Sequence, residues 1–217
     1  MKTIIKKMIK SLSPLINRLP FNNRFINKRG NTVDFGDVVL KKCKISFRGK
    51  GNSVIFKNGN ISRSKILIYG NNNIISIGSN TVIRNGEFWI EDDDNSIIIG
   101  NDTVLSGKIQ LACIEGTKIV IGDNCLFSSE IFLRTSDSHS ILDLQGNRIN
   151  PAEDIIIAEN VWAGHKVSIN KGVNIPRNTI IGNGAIVTKN FTKPNTIIAG
   201  VPAKVIKENV TWCSQRV

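Results

Sequence analysis

Residues 155–191 read IIIAENVWAGHKVSINKGVNIPRNTIIGNGAIVTKNF, and their spacing decides the fold. Counted in sixes from Ile157, the first slot holds Ile157, Ala163, Ile169, Ile175, Ile181 and Val187. The fifth slot holds Val161, Val167, Val173, Thr179, Ala185 and Phe191. Small, polar or turn-forming residues such as Gly164, Asn170, Gly172, Asn178, Gly182 and Gly184 occupy the slots between. Neither an amphipathic helix nor a lone strand sustains a period of six. A three-sided coil does, because each six residues supply one short strand and one corner. Stacked coils bury the aliphatic slots in a continuous core that no single repeat can bury. The expected class is all-β, a parallel β-helix.

The same period continues N-terminally in a longer form. Ile77-Gly78-Ser79-Asn80, Ile99-Gly100-Asn101-Asp102 and Ile121-Gly122-Asp123-Asn124 recur at steps of 22. The same step carried backwards reaches Ile55 and Val33. A step of 22 in place of 18 predicts a widened corner in each early coil, at Asn71–Asn73, Asp92–Asn95 and Glu115–Thr117, all polar turn formers. The acidic run Glu91–Asp94 reads as a solvated turn rather than a metal site. The frame set at Ile121 runs through Phe127 and Leu133, breaks over 135–150, and resumes by Ile157.

Composition agrees with a solenoid and bounds the partners. Of 217 residues 41% are hydrophobic but only 6% aromatic, which suits a narrow interior lined by β-branched side chains. Cys43, Cys113, Cys125 and Cys213 form no CxxC pair and have no nearby His, so they read as small buried hydrophobes and no metal is expected. No apolar run approaches the length of a membrane span, and lysines interrupt any signal-peptide core, so a cytoplasmic protein is expected. The net charge of +12 is concentrated at one end: residues 1–50 hold thirteen Lys or Arg against Asp34 and Asp37, a net of +11, leaving +1 for the rest.

Within residues 1–19, Ile4, Ile5, Met8, Ile9 and Leu12 share a helical face, with lysines elsewhere. Two readings stand for this basic helix: a cap on the open end of the coil stack, and contact with an anionic membrane surface or a lipid-linked substrate, which would make the protein peripheral to the inner membrane. Nucleic acid is not expected, because no binding module accompanies the charge. The organisation expected is a basic helical and linker segment over 1–30, a β-helix over 31–191 with an excursion at 135–150, and a tail over 192–217.

That excursion, TSDSHSILDLQGNRIN, contains His139, one of only two histidines. A regular scaffold has no structural use for it, so function is sought there. The loop motif Thr135–Ile141, Val161-Trp162-Ala163-Gly164, Val187-Thr188-Lys189, Ala199-Gly200-Val201-Pro202-Ala203-Lys204 and the Ile157–Val187 repeats together resemble the hexapeptide-repeat O-acetyltransferases. Among these the chain is most similar to enzymes of capsular and O-antigen polysaccharide modification. The resemblance spans roughly residues 75–210. It implies a left-handed β-helix, a homotrimer with sites between adjacent subunits, acetyl-CoA as co-substrate, and a carbohydrate acceptor.

On this resemblance His139 is the general base, since imidazole alone has an unperturbed pKa, ~6.5, near working pH. Asp137 and Asp143 are nearby carboxylates able to fix its tautomer, as is a backbone carbonyl. Trp162 is expected to point outward beside the thioester, its indole N–H meeting developing charge. Gly164, Gly182, Gly184, Ala185 and Thr188 would line the pantetheine arm, and Lys189 and Lys204, helped by Lys207, would meet CoA phosphates. Gln110 stands where the family's positioning Asn is expected, and His165 is a candidate for the acceptor pocket. No activated Ser or Cys motif is present, which favours direct transfer. Alternatives are an N-acetyltransferase on an amino sugar nucleotide, a zinc carbonic anhydrase, for which two histidines per chain are too few, and a non-catalytic β-helix scaffold.

Overall fold

The structure is a computed structural model that describes residues 23–215; the expected helix over 1–19 lies outside them. Among the described residues the chain is a three-sided parallel β-solenoid of three sheets with eight, seven and nine strands. Successive strands step from sheet A to B to C and back, each pairing with the strand one coil away. The first-slot and fifth-slot residues of 155–191 are all buried, so the hexapeptide period is the core period.

The early coils are wider because their sheet A strands are longer. Lys44–Arg48, Lys65–Tyr69, Gly86–Glu91 and Ile109–Ile114 run to five or six residues, against two for Ser168–Ile169 and Ile186–Val187. The polar corners expected to be widened follow these strands. The added interior is filled by Phe47, Ile68, Ile90 and Cys113, in register on successive strands.

The corner between sheets A and B carries a buried ladder that periodicity alone did not reveal. Asn31 Oδ1 accepts the Asn52 backbone N–H at 3.0 Å and its side-chain amide at 2.9 Å. Asn52 does the same for Asn73, and Asn73 for Asn95. Asn95 then accepts the Thr117 N–H, and the Thr117 and Thr135 hydroxyls lie 2.7 Å apart. Each rung satisfies a backbone donor that the corner would otherwise leave buried and unpaired. The opposite corner, between B and C, is turned by single left-handed residues, Asn80, Asp102, Asn124, Asn160, Asn178 and Asn195, the residue types that tolerate positive φ.

Three expectations need correction. Rungs of the first coils are 21 residues apart, not 22, so Ile77 pairs with Phe56, and Ile55 faces outward. Val33 packs against the core, in register with Val54. One residue fewer in a corner exchanges the faces of a strand whose side-chain period is two. Arg24–Ile26 is not linker: it pairs with Lys44–Ser46 and opens sheet A. Cys43, Cys113 and Cys125 are buried as expected, but Cys213 in the tail is exposed.

After Val187 the chain turns a corner, adds Thr196–Gly200 parallel to sheet C, and folds back as Ala203–Glu208, the antiparallel strand of that sheet. The tail then returns over sheet C, where the Trp212 indole N–H donates to the Asn160 carbonyl at 2.8 Å.

Candidate active site

The excursion leaves the solenoid at Thr135, the last rung of the ladder, between the sheet A strand Ile131–Arg134 and the sheet B strand Ile155–Ile157. It is fastened to the coils on either side of it. Upwards, the Arg148 guanidinium meets the Glu115 carboxylate in a two-pronged contact, and Ser136 donates to the same carboxylate. Downwards, Lys171 Nζ reaches Asp137 at 2.6 Å and the carbonyls of Asn150 and Pro151 at 3.1 and 3.0 Å. Asn150 spans the neck of the loop: its amide donates to the His139 carbonyl at 2.9 Å and to Asp137 at 2.8 Å, and its oxygen accepts the Ile141 N–H. These contacts hold Glu115 (through Arg148, then Ser136) and Asp137 (through Lys171, then Asn150) below the ordinary carboxylate pKa.

The result is a loop backbone fastened on two sides under an exposed imidazole. Among the described residues none hydrogen-bonds the His139 ring. The structure does not bring Asp137 or Asp143 to it: Asp137 is held by Lys171 and Asn150, and Asp143 accepts from Gln145 and Asn147 in its own turn, which lowers its pKa. The tip of the loop exposes Ile141, Leu142, Leu144 and Ile149, with Leu144 fully in solvent. Asn150, Lys171, Arg148 and Glu115, the last expected only as part of a corner, were not singled out as site residues in the sequence, because their partners lie a coil away or across the loop.

Trp162 points outward from sheet C, 40% exposed, its ring centroid 6.0 Å from that of Trp212. It belongs to an outward apolar row, Val104, Leu126, Trp162, Ile180 and Ile197, in register down sheet C. Beside it the tail roofs a cavity of about 400 Å³ lined by Val104, Leu126, Asn160 and Trp212. The A–B corner lies opposite sheet C in a three-sided prism, so within one chain His139 and Trp162 are on opposite sides of the solenoid. Thr188 and Lys189 are exposed at the A–B corner, whereas Lys204 and Lys207 are exposed on the hairpin that extends sheet C.

The remaining candidates are occupied structurally. Ala185 is completely buried in the core and touches no solvent, because its slot faces inward. Gly164 is buried, and a Cβ there would strike the Asn183 corner one coil below, so its glycine serves coil stacking. Gly182 is half-buried against Ala199, and Gly184 is exposed with φ +69°. Gln110 donates to Glu87 at 3.0 Å on the outer face of sheet A. His165 Nδ1 lies 2.8 Å from Ser129 Oγ, which ties the C–A corner to the coil above. Burial pushes the Cys113 and Cys125 thiols up to about 11, so neither supplies a thiolate nucleophile. Among the described residues no group of three or more His, Cys, Asp or Glu could hold a metal, and no helix is long and apolar enough to cross a membrane.

A three-sided solenoid of six-residue repeats, interrupted by one histidine-bearing loop, is the architecture of the left-handed β-helix acyltransferases. No family model matches the chain. A polysialic acid O-acetyltransferase of Neisseria meningitidis is 32% identical over 185 residues, 84% of this chain and 85% of that protein. One of Escherichia coli O1:K1 / APEC is 42% identical over 89 residues, 41% of this chain but 29% of that protein. The crystal structure of the polysialic-acid-specific acetyltransferase NeuO superposes with a TM-score of 0.80 at 33% identity, covering 89% of this chain and 88% of that one. The chain belongs to the hexapeptide-repeat O-acetyltransferases of the capsular polysaccharide type, and it is an acyltransferase.

Proposed function

We propose that the protein transfers an acetyl group from acetyl-CoA to a sugar hydroxyl of an acidic capsular polysaccharide, in a site completed by a second copy of the chain in a homotrimer. The observation that carries this reading is the placement of His139, exposed on a doubly fastened loop with its ring unengaged, on the far side of the prism from Trp162. Both residues serve one reaction only if the loop of one copy meets sheet C of another. The exposed apolar tip, Ile141, Leu142 and Leu144, and the outward apolar row on sheet C are surfaces suited to that contact.

In such a site the acceptor hydroxyl gives its proton to His139 as its oxygen forms a bond to the thioester carbonyl carbon. The indole N–H of Trp162 donates to the group on which negative charge builds. The carbon–sulfur bond then breaks, and the imidazolium returns the proton to the departing sulfur. No residue is acylated, in keeping with the lack of an activated thiol. Lys189 from one copy and Lys204 from the next would meet the phosphates of the donor. Asp137, Lys171 and Asn150 act through the loop backbone, and the His139 tautomer is fixed once substrate or the second copy is present.

His139→Ala is expected to lower kcat by about 10²–10⁴-fold, with acetyl-CoA affinity retained in a binding titration. Turnover within threefold of the unaltered protein would remove His139 as the base.

A further inference from the structure

Sheet A carries side chains that the solenoid does not need. Its long strands add outward positions above the His139 loop, and these hold Arg48, Leu67, Tyr69 and Trp89. Of the eight phenylalanines among the described residues six are buried in the core, while Tyr69, the single tyrosine, and Trp89 stand half-buried on the outside. Their ring centroids are 4.8 Å apart with planes inclined by 38°. The Arg48 guanidinium lies 5.0 Å over Tyr69, and the Trp89 indole N–H donates to Glu91 at 3.2 Å. The rings thus form a platform with a cation at one end and polar groups at its rim, the form that receives the apolar face of a sugar while binding its substituents.

The platform leads to the loop. Trp89, Ala112 and Arg134 are in register on successive strands, and Arg134 donates to Ser138, next to His139, at 2.8 Å. Two coil steps of ~4.8 Å put the Trp89 row about 10 Å from the Arg134 row. At the sheet A edge a cavity of about 250 Å³ is lined by Arg63, Lys65 and Lys108, with Glu87 the one carboxylate among its lining residues. Lys44, Arg48, Arg63, Lys108 and Arg134 have no carboxylate within ion-pair distance among the described residues, and only Lys65 is paired, with Glu87 at 3.7 Å. A face combining stacked aromatics with unneutralised cations is complementary to a chain of carboxylate-bearing sugars.

We propose that the outer face of sheet A is a binding track for a carboxylate-bearing polysaccharide, in which Tyr69 and Trp89 stack on one sugar while Arg48 and Arg134 meet carboxylates to either side, presenting a residue of the chain to His139. This rests on the acetyltransferase reading above and adds a selectivity to it. A short acceptor reaches only the loop and gains nothing from the platform; a polymer gains from both. The contribution is uniform binding, present before and during the reaction, so it lowers KM and leaves kcat alone.

The test measures acetyl transfer to long polysialic acid and to its trimer, and binding of polysialic acid, a polyuronate and neutral dextran. The proteins compared are the unaltered chain, Trp89→Ala, Tyr69→Ala and Arg48→Ala. Loss of about tenfold in kcat/KM on the polymer, carried by KM, with trimer turnover unchanged and acidic-polymer binding weakened to the dextran level, is the expected result. Sedimentation of each variant checks assembly. Equal losses on polymer and trimer, unchanged polymer kinetics, no preference of the unaltered chain for acidic polymers over dextran, or a variant that alters the oligomeric state each overturn the track. A protein that binds acidic polymer through Trp89 yet acetylates nothing refutes the acetyltransferase reading instead.

Discussion

The wide coils above the loop and the narrow coils below it are made from one repeat and use it differently. The narrow coils, 18 residues each, are filled by Ile, Val and Ala, and their corners are short. The wide coils insert three or four more residues, and this brings Phe47, Ile68 and Ile90 into the interior, an asparagine ladder into the A–B corner, and Arg48, Tyr69 and Trp89 onto the outer face. Insertion in a repeat scaffold therefore changes three layers at once: the core must grow, the corner must be satisfied, and a new outer column appears. The first two are obligations of packing and hydrogen bonding. The third is free to be used.

Several measurements can break this contrast. The largest expected stability effect is in the wide core: Phe47→Ala removes a completely buried ring that only the long strands accommodate, at a cost of about 3–5 kcal/mol. The narrow coils have no counterpart of that interior column, and an ordinary core deletion there, Val167→Ala, removes two carbons and should cost about 1.5 kcal/mol. Denaturant unfolding of both variants giving equal losses would mean that the two regions are not packed differently. Next comes the ladder. Asn73→Ala removes the acceptor for the Asn95 N–H and a donor to Asn52, leaving buried groups unpaired at roughly 1–3 kcal/mol each. The unfolding midpoint should fall accordingly, with amide exchange accelerating first at Asn95; a drop no larger than that of an exposed substitution would reduce the ladder to decoration.

The smallest effects on stability belong to the loop where the two regions meet. Lys171→Met releases Asp137 and the Asn150 carbonyl. Because Asp137 is nearly half exposed, solvent screening limits the change to under about 1 kcal/mol. Misplacing the base by about an ångström can nonetheless cost on the order of 10²-fold in rate, so kcat should fall far more than stability. Acid tests the same clamps. Glu115 and Asp137 have folded-state pKa values depressed below their ordinary 4.5 and 3.8, so the stabilisation they provide is complete above those values and is lost as pH falls beneath them. Exchange of the 135–150 amides should be flat from neutral pH to about 5 after correction for intrinsic rates, and rise below 4; a rise between pH 6 and 7 would point to another group.

The core was legible because hexapeptide spacing is a property of the chain alone. Every first-slot and fifth-slot residue of 155–191 faces inward, Ala185 included, although a ligand role was also expected of Ala185 from resemblance. Register was less legible: a corner shorter by one residue is invisible in composition, yet it sends Ile55 outward and Phe56 inward. The site was legible as a break in the repeat holding a histidine. Its supports were not, because Lys171 sits one coil on and Glu115 one coil back, at separations that local motifs do not span.

From the sequence alone came the solenoid, the point at which it is interrupted, and the imidazole projected there, since periodicity and its failure are both written along the chain. Only the folded coils decided which side chains share a face. Stacking brings residues 18, 21 or 22 positions apart into contact, and that set the asparagine ladder, the double fastening of the loop, the outer row from Trp89 to Arg134, and the separation of His139 from Trp162 across the prism.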